Sequence, residues 1–188
     1  MLKKIAIIGP ESTGKSTLCV QLAEHYHTLW CPEYAREYLL KHGMKYTYDD
    51  LLAIAKGQVA LEDKFIQLAN SSLTTDNSRF TTHDSALFID TEMYVMKVWC
   101  EFVFGKCHQY ILDQMAARKY DLYFLCNVDL PWTLDELREY PDLETRQTLF
   151  EIYKGFMVSQ PVPWVEIKGD SDERFEIAIR AVDVLLKD

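Results

Sequence analysis

Residues 3–17 read Lys3-Lys4-Ile5-Ala6-Ile7-Ile8-Gly9-Pro10-Glu11-Ser12-Thr13-Gly14-Lys15-Ser16-Thr17. The apolar run Ile5 to Ile8 is too short for a secretory hydrophobic region and suits a strand buried on both faces. It ends at a glycine, and Gly9 to Ser16 match G-x-x-x-x-G-K-[ST] at every fixed position. Glycines let the backbone curl so that successive N–H groups converge on phosphate oxygens. A helix starting at Lys15 adds the positive end of its dipole. In this pattern Gly9, Glu11, Ser12, Thr13, Gly14, Lys15 and Ser16 form a nucleotide cradle, Lys15 holds the β- and γ-phosphates, and the Ser16 hydroxyl ligates Mg²⁺. At ordinary residue frequencies a chance match in such a chain is on the order of 0.5%.

Outward from this loop, two kinds of apolar pattern alternate. Leu18, Cys19, Leu22 and Ala23 predict a helix from Lys15 to Tyr26. Thr28 to Cys31 predicts a short strand. Pro32 suits the first position of a helix that runs from Glu33 to about His42 and stops at Gly43. A long helical pattern opens at Tyr48-Asp49-Asp50 and continues through Ala69. Ser71 to Thr82, with Asp76-Asn77-Ser78, reads as a loop, and His83-Asp84 as a turn. Ala86-Leu87-Phe88-Ile89-Asp90 reads as a buried strand ending in a carboxylate. Helices are predicted at Glu92 to Phe104 and His108 to Lys119, then a strand at Asp121 to Cys126. A polar, turn-rich stretch from Asn127 to Pro141 precedes a helix at Leu143 to Val158. A strand at Trp164 to Ile167 and a helix at Asp172 to Leu186 close the chain. The alternation predicts an α/β fold, a mostly parallel sheet with helices on both faces, in one domain over residues 1–188.

A phosphate loop working with Mg²⁺ needs a carboxylate on a neighbouring strand. Asp90 ends its strand at the carboxyl edge of the sheet, where open α/β sheets bind ligands. It is the candidate metal ligand beside Ser16, and its plainer role is to cap the next helix. The classes that use this loop are GTPase switches, ATPase motors and small-molecule kinases; a motor usually needs more chain and partner subunits and stays open, and a GTPase switch reads guanine with N-K-x-D. Asn127-Val128-Asp129 lacks that lysine, and Thr91-Glu92-Met93 after Asp90 lacks the switch glycine. A small-molecule kinase needs an acceptor pocket, groups that orient its hydroxyl, and a cationic lid. Glu33, Arg36 and Glu37 share one face of the predicted helix past the second strand, on the acceptor side. Read plainly they are a surface ion-pair ladder worth about 0.3–0.5 kcal/mol. Trp132-Thr133-Leu134-Asp135-Glu136-Leu137-Arg138, with Arg146 beyond, places two arginines in a lid segment at about 127–147. The plain reading of that stretch is an exposed loop–helix junction. These parts predict a P-loop kinase-like three-layer sandwich with a small lid.

The 188 residues are 48% hydrophobic and 26% charged, an ordinary globular balance. The net charge of −9, from 20 Lys+Arg against 29 Asp+Glu with no dense basic run, argues against nucleic acid as the main partner. No run approaches the roughly 18 apolar residues of a membrane span. Without an export signal, a cytoplasmic chain is expected, its cysteines Cys19, Cys31, Cys100, Cys107 and Cys126 reduced. His25-x-His27, and Cys100 with Cys107-His108, fall short of a four-ligand transition-metal site. A homo-oligomer is compatible with the sequence.

Taken in order, Gly9-Pro10-Glu11-Ser12-Thr13-Gly14-Lys15-Ser16-Thr17-Leu18, Glu33-Tyr34-Ala35-Arg36-Glu37, Ala55-Lys56-Gly57-Gln58, Phe88-Ile89-Asp90-Thr91-Glu92 and Asp135-Glu136-Leu137-Arg138 resemble the bacterial nicotinamide riboside (ribosylnicotinamide) kinase domain. That domain is usually the C-terminal part of a bifunctional NAD-biosynthesis protein. The resemblance spans nearly the whole chain. It implies phosphoryl transfer from Mg-ATP to the ribose 5′-hydroxyl of nicotinamide riboside, with Lys15, Ser16 and Thr17 serving the triphosphate and metal. It implies that Asp90 holds Mg²⁺ or orients the hydroxyl, that Glu33, Tyr34 and Arg36 belong to the substrate side, and that Arg138 and Arg146 belong to the lid. The family's adenylyltransferase H-x-G-H motif is missing here, so adenylylation is not implied. Nicotinamide riboside is a flat cation that aromatic faces suit. Among the tryptophans, Trp99 and Trp132 are the candidate contacts, and Trp99 reads first as packing.

Overall fold

The structure, a computed structural model, describes the backbone of residues 1–74 and 86–187 and the side chains of those outside 72–74. Its strands are β1 (Lys3–Ile8), β2 (Leu29–Cys31), β3 (Ala86–Asp90), β4 (Leu122–Cys126) and β5 (Trp164–Ile167). All pair in parallel, in the order β2-β3-β1-β4-β5. The helices are α1 (Lys15–His25), α2 (Tyr34–His42), α3 (Tyr48–Thr74), α4 (Met93–Phe104), α5 (Gln109–Ala117), α6 (Leu143–Ser159) and α7 (Ser171–Leu185).

Parallel strands require crossovers, and the helices within them cover both sheet faces. The side-chain period of two sorts the strand residues accordingly. Ala6, Ile8, Leu87, Ile89 and Leu125 pack with Val98 of α4 and Leu149 and Phe150 of α6. Ile5, Ile7, Phe88, Phe124 and Cys126 pack on the other face with Leu18 and Leu22 of α1 and Ala178 and Val182 of α7. This is the three-layer arrangement the alternation predicts. A further apolar cluster (Leu39, Leu51, Ile54, Met96, Cys100, Ile111) binds α2, α3, α4 and α5 into a wing. All five cysteines are free thiols, four of them buried.

β1 lies at the centre of the sheet, between β3 and β4. The register pairs Ile7 with Asp90, which sets the carboxylate of β3 beside the residues that leave β1. The Thr91 N–H donates to the Ile7 carbonyl at 3.2 Å and continues that ladder past the strand end.

The structure corrects several sequence expectations. α3 runs through Thr74, so the predicted loop from Ser71 begins as helix; the rest of that stretch, and His83-Asp84, lie outside the described residues. α2 begins at Tyr34, after an extended Glu33, so Pro32 is not its first residue. The cause is tertiary. The buried Gln58 of α3 accepts the Tyr34 N–H at 2.7 Å and donates to the Pro32 carbonyl at 3.4 Å, taking over the cap of α2. α6 starts at Leu143 because Asp142 caps it, its Oδ1 accepting the Thr145 N–H at 2.7 Å. The last residues of the expected lid segment, Arg146 among them, are therefore helical. No helix among the described residues is long and apolar enough to cross a membrane.

Candidate active site

Gly9 leaves β1 at a φ of 136°, and a Cβ there would stand 2.7 Å from the Cys126 carbonyl oxygen. Only glycine can turn the chain so close to β4. Gly14, at a φ of 77°, opens α1 in the left-handed region. Between them the Thr13 hydroxyl donates to the Pro10 carbonyl at 2.7 Å, and the Lys15 ammonium donates to the same oxygen at 2.9 Å. Ser12 also takes a positive φ, 57°. A non-glycine residue bears that cost only where its surroundings enforce it. Here its hydroxyl accepts the Thr133 N–H at 3.0 Å and Arg138 Nη1–H at 3.2 Å.

The Ser16 hydroxyl donates to Asp90 Oδ2 at 2.5 Å. Asp90 is buried, and its Oδ1 has no hydrogen-bond partner among the described residues. Burial, with the negative charge of Glu33, pushes the Asp90 carboxyl up to about 6, against the pull of Lys15 and the Ser16 hydrogen bond. A hydroxyl beside an orphaned carboxylate oxygen suits a hard divalent ion such as Mg²⁺. Among the described residues no group of three or more His, Cys, Asp and Glu could hold a metal by itself.

A cavity of about 330 Å³ opens at the loop and is lined in part by residues of β2, α2, α4 and α6. Gly9, Glu11, Ser12, Thr13, Gly14, Lys15, Ser16 and Thr17 line it, and so do Asp90, Glu33 and Arg36. Aromatic side chains also line it: Trp30 of β2, Trp99 and Phe102 of α4, and Tyr153 of α6. Trp99 and Phe102 are three apart on one helix face, a spacing legible in the sequence. That this face turns toward the phosphate loop is not.

The structure places four expected residues otherwise than the sequence reading does. Tyr34 packs on α3, where a Cβ at Gly57 would lie 2.0 Å from its ring, and it does not line the cavity. Trp132 lies outside the lining too, with the Arg138 and Arg146 guanidinium carbons 5.8 and 5.3 Å from its ring centre. Arg146 is buried on α6 rather than exposed on a loop, and its Nε and Nη1 have no hydrogen-bond partner among the described residues. Glu37 is exposed and outside the lining, and Arg36 pairs with Asp135 at 3.0 Å, so no ladder forms along α2.

Residues 127–142, between β4 and α6, cross over the phosphate loop. Glu11 fixes them: its carboxylate accepts the Glu139 N–H at 2.9 and 3.0 Å and the Tyr140 N–H as well. Burial raises the Glu11 carboxyl while those N–H groups pull it down. Arg174 of α7 supports the loop from behind. It donates to the carbonyls of Thr13 (2.8 Å), Asn127 (2.9 Å) and Gly169 (2.8 Å) and pairs with Asp129. Sequence reading missed Arg174, because nothing in a helix pattern marks an arginine that turns inward.

A phosphate loop after the central strand of a parallel β2-β3-β1-β4-β5 sheet, with an acidic strand end beside it, defines a P-loop protein of kinase-like fold. The chain belongs to the AAA domain family, whose sequence profile it matches over residues 4–174. It is 27% identical to the trifunctional NAD biosynthesis/regulator protein NadR of Salmonella typhimurium, in an alignment covering 98% of this chain and 42% of that protein. The chain thus spans less than half the length of that relative. The crystal structure of a NadR protein in complex with NR superimposes with a TM-score of 0.72 at 20% identity, over 99% of this chain and 50% of that one. Thymidylate kinase from Ehrlichia chaffeensis superimposes with a TM-score of 0.67 at 14% identity, over 98% of both chains.

Proposed function

We propose that this protein transfers the γ-phosphoryl group of ATP to the ribose 5′-hydroxyl of nicotinamide riboside, giving nicotinamide mononucleotide and ADP in the cytoplasm. The observation that carries the reading is the single cavity in which the phosphate loop, Asp90 and Glu33 meet aromatic side chains. The likeness to NadR along nearly the whole chain supports the acceptor. A planar pyridinium gains from stacking on aromatic faces and from nearby carboxylates.

Phosphoryl transfer asks for position and charge neutralisation more than covalent help. The N–H groups of residues 9–16 and the start of α1 hold the triphosphate. Lys15 neutralises the β- and γ-oxygens. Ser16 and Asp90 would hold Mg²⁺, which would neutralise charge on the triphosphate. Glu33 and Asp90 flank the point where acceptor and loop meet, so one of them takes or orients the hydroxyl proton. Arg138 and Arg146 supply cations from the lid, which comprises residues 127–142 and the first turn of α6. A buried guanidinium with unpartnered nitrogens is costly alone and well used against a phosphoryl oxygen. The chain in this reading is one kinase unit.

Product identification decides the matter. Pure protein, Mg-ATP and a panel of nucleosides should yield nicotinamide mononucleotide and ADP in equal amounts. Faster turnover of thymidine or uridine would transfer the reading to another nucleoside. ATP binding without acceptor-dependent ADP release would make the chain a nucleotide sensor.

A further inference from the structure

Tyr46 lies in the connection between α2 and α3 and is absent from the cavity lining. It nevertheless sits in a chain of hydrogen bonds that runs from Trp99, which lines the cavity, to the phosphate loop. The Trp99 indole N–H donates to the Tyr46 hydroxyl oxygen at 2.9 Å, and the Tyr46 hydroxyl donates to Glu139 Oε2 at 2.7 Å. The Glu139 N–H then donates to the Glu11 carboxylate, a member of the phosphate loop. The two links at Tyr46 join residues 53 and 93 positions apart, so neither is local to an element. The rings of Tyr46 and Trp99 also meet edge to face at 5.0 Å, which fixes the plane of the indole.

A phenol is suited to this place. It accepts from the indole, which can only donate, and donates to a carboxylate, which can only accept. The strap carrying Glu139 is fastened on both sides, to the phosphate loop through Glu11 and Ser12 and to α2 through the Arg36–Asp135 pair. A nucleotide that reshapes residues 9–16 therefore pulls on Glu139. Through Tyr46 it pulls on the indole that lines the cavity.

We infer that Tyr46 is a positioning residue that couples nucleotide binding at the phosphate loop to the orientation of Trp99 in the acceptor pocket. This deepens the kinase reading above and rests on it. The coupling makes nucleotide and acceptor bind with positive cooperativity, the same factor acting in both directions.

The test uses the four indole N–H resonances of ¹⁵N-labelled protein, that of Trp99 assigned with a Trp99→Phe variant. Mg²⁺ with AMP-PNP should displace the Trp99 resonance in the wild type. In Tyr46→Phe, which keeps the ring and loses both hydrogen bonds, the displacement should vanish while AMP-PNP affinity stays within about twofold. AMP-PNP should tighten nucleoside binding about fivefold in the wild type and not measurably in Tyr46→Phe. Glu139→Ala, a change at an exposed side chain, should reproduce the loss and covers the case of a poorly folded Tyr46→Phe. Equal displacement in all three proteins overturns the proposal. The nuclear magnetic resonance readout needs no turnover. If no nucleoside is phosphorylated yet the displacement depends on Tyr46, the coupling stands and the acceptor assignment falls.

Discussion

Lys15 and Arg146 are cations in contrasting settings. Lys15 is half-buried and bonded to the Pro10 carbonyl, at the mouth of the loop. In the proposed mechanism Lys15→Ala removes the charge that acts on the transferring group, and it disturbs little packing. Turnover should fall by roughly a thousandfold or more, with the thermal midpoint held within a degree or two of wild type. Initial rates and melting curves on the same preparation check both halves. Arg146 is buried with unpartnered nitrogens, so the fold bears its desolvation. Arg146→Met keeps much of the volume and removes the buried charge. Unfolding free energy without nucleotide should rise by about 1 kcal/mol while kcat falls at least tenfold. Urea denaturation and steady-state kinetics measure the two. A variant that loses stability and keeps kcat would make Arg146 structural.

Elements meet through capping as much as through packing. The start of α3 carries a reciprocal pair: the Thr47 N–H donates to Asp50 Oδ2 at 2.7 Å, and the Asp50 N–H donates to the Thr47 hydroxyl at 3.3 Å. The Tyr38 hydroxyl of α2 donates to Asp50 Oδ1 at 2.6 Å and joins the two helices. These bonds, Tyr38 foremost, hold the Asp50 carboxyl down at about 2, below its ordinary 3.8. A lowered carboxyl contributes stability above its unfolded value and loses it as pH falls through the folded one. Asp50→Asn should therefore be less stable than wild type at pH 6, and the gap should narrow as pH falls from about 4 toward 2. Urea midpoints across that range give the slope, and a gap independent of pH would contradict the assignment. The same interface explains why α2 starts a residue late. Gln58 supplies its cap from α3, across a contact that no local pattern encodes.

At the scale of the molecule, the site is held by residues that reach between distant segments. Arg174 binds carbonyls 161 and 47 positions away in the sequence. It thereby ties the phosphate loop to the end of β4. Arg174→Ala leaves those carbonyls without their donor and Asp129 without its cation, and should cost about 2–3 kcal/mol of stability. It should also weaken ATP binding several-fold, with acceptor binding nearly unchanged. Arg174→Lys, keeping charge without the planar fork, should recover part of the stability and little of the ATP affinity. Calorimetric titration with each substrate separates the two effects.

Local signals were strong where chemistry and backbone geometry coincide. The apolar run before Gly9, the spaced glycines, Lys15 and the strand-ending Asp90 all lie in short stretches whose meaning survives without context. From them follow the α/β class, the phosphate loop and its partner carboxylate. The aromatic lining of the cavity was legible only in pieces. Trp99 read first as packing, Trp30, Phe102 and Tyr153 carried no motif, and Tyr34 and Trp132 drew suspicion but stand outside the cavity. Arg174, Gln58 and Tyr46 act on partners far along the chain. Chain order and periodicity specify strands and helices because those depend on neighbours within a few residues. Which aromatic face lines a pocket, which arginine turns inward and which phenol links Trp99 to Glu139 depend on how the helices dock on the sheet. That docking is the outcome of packing all the layers at once, so tertiary structure alone decides it.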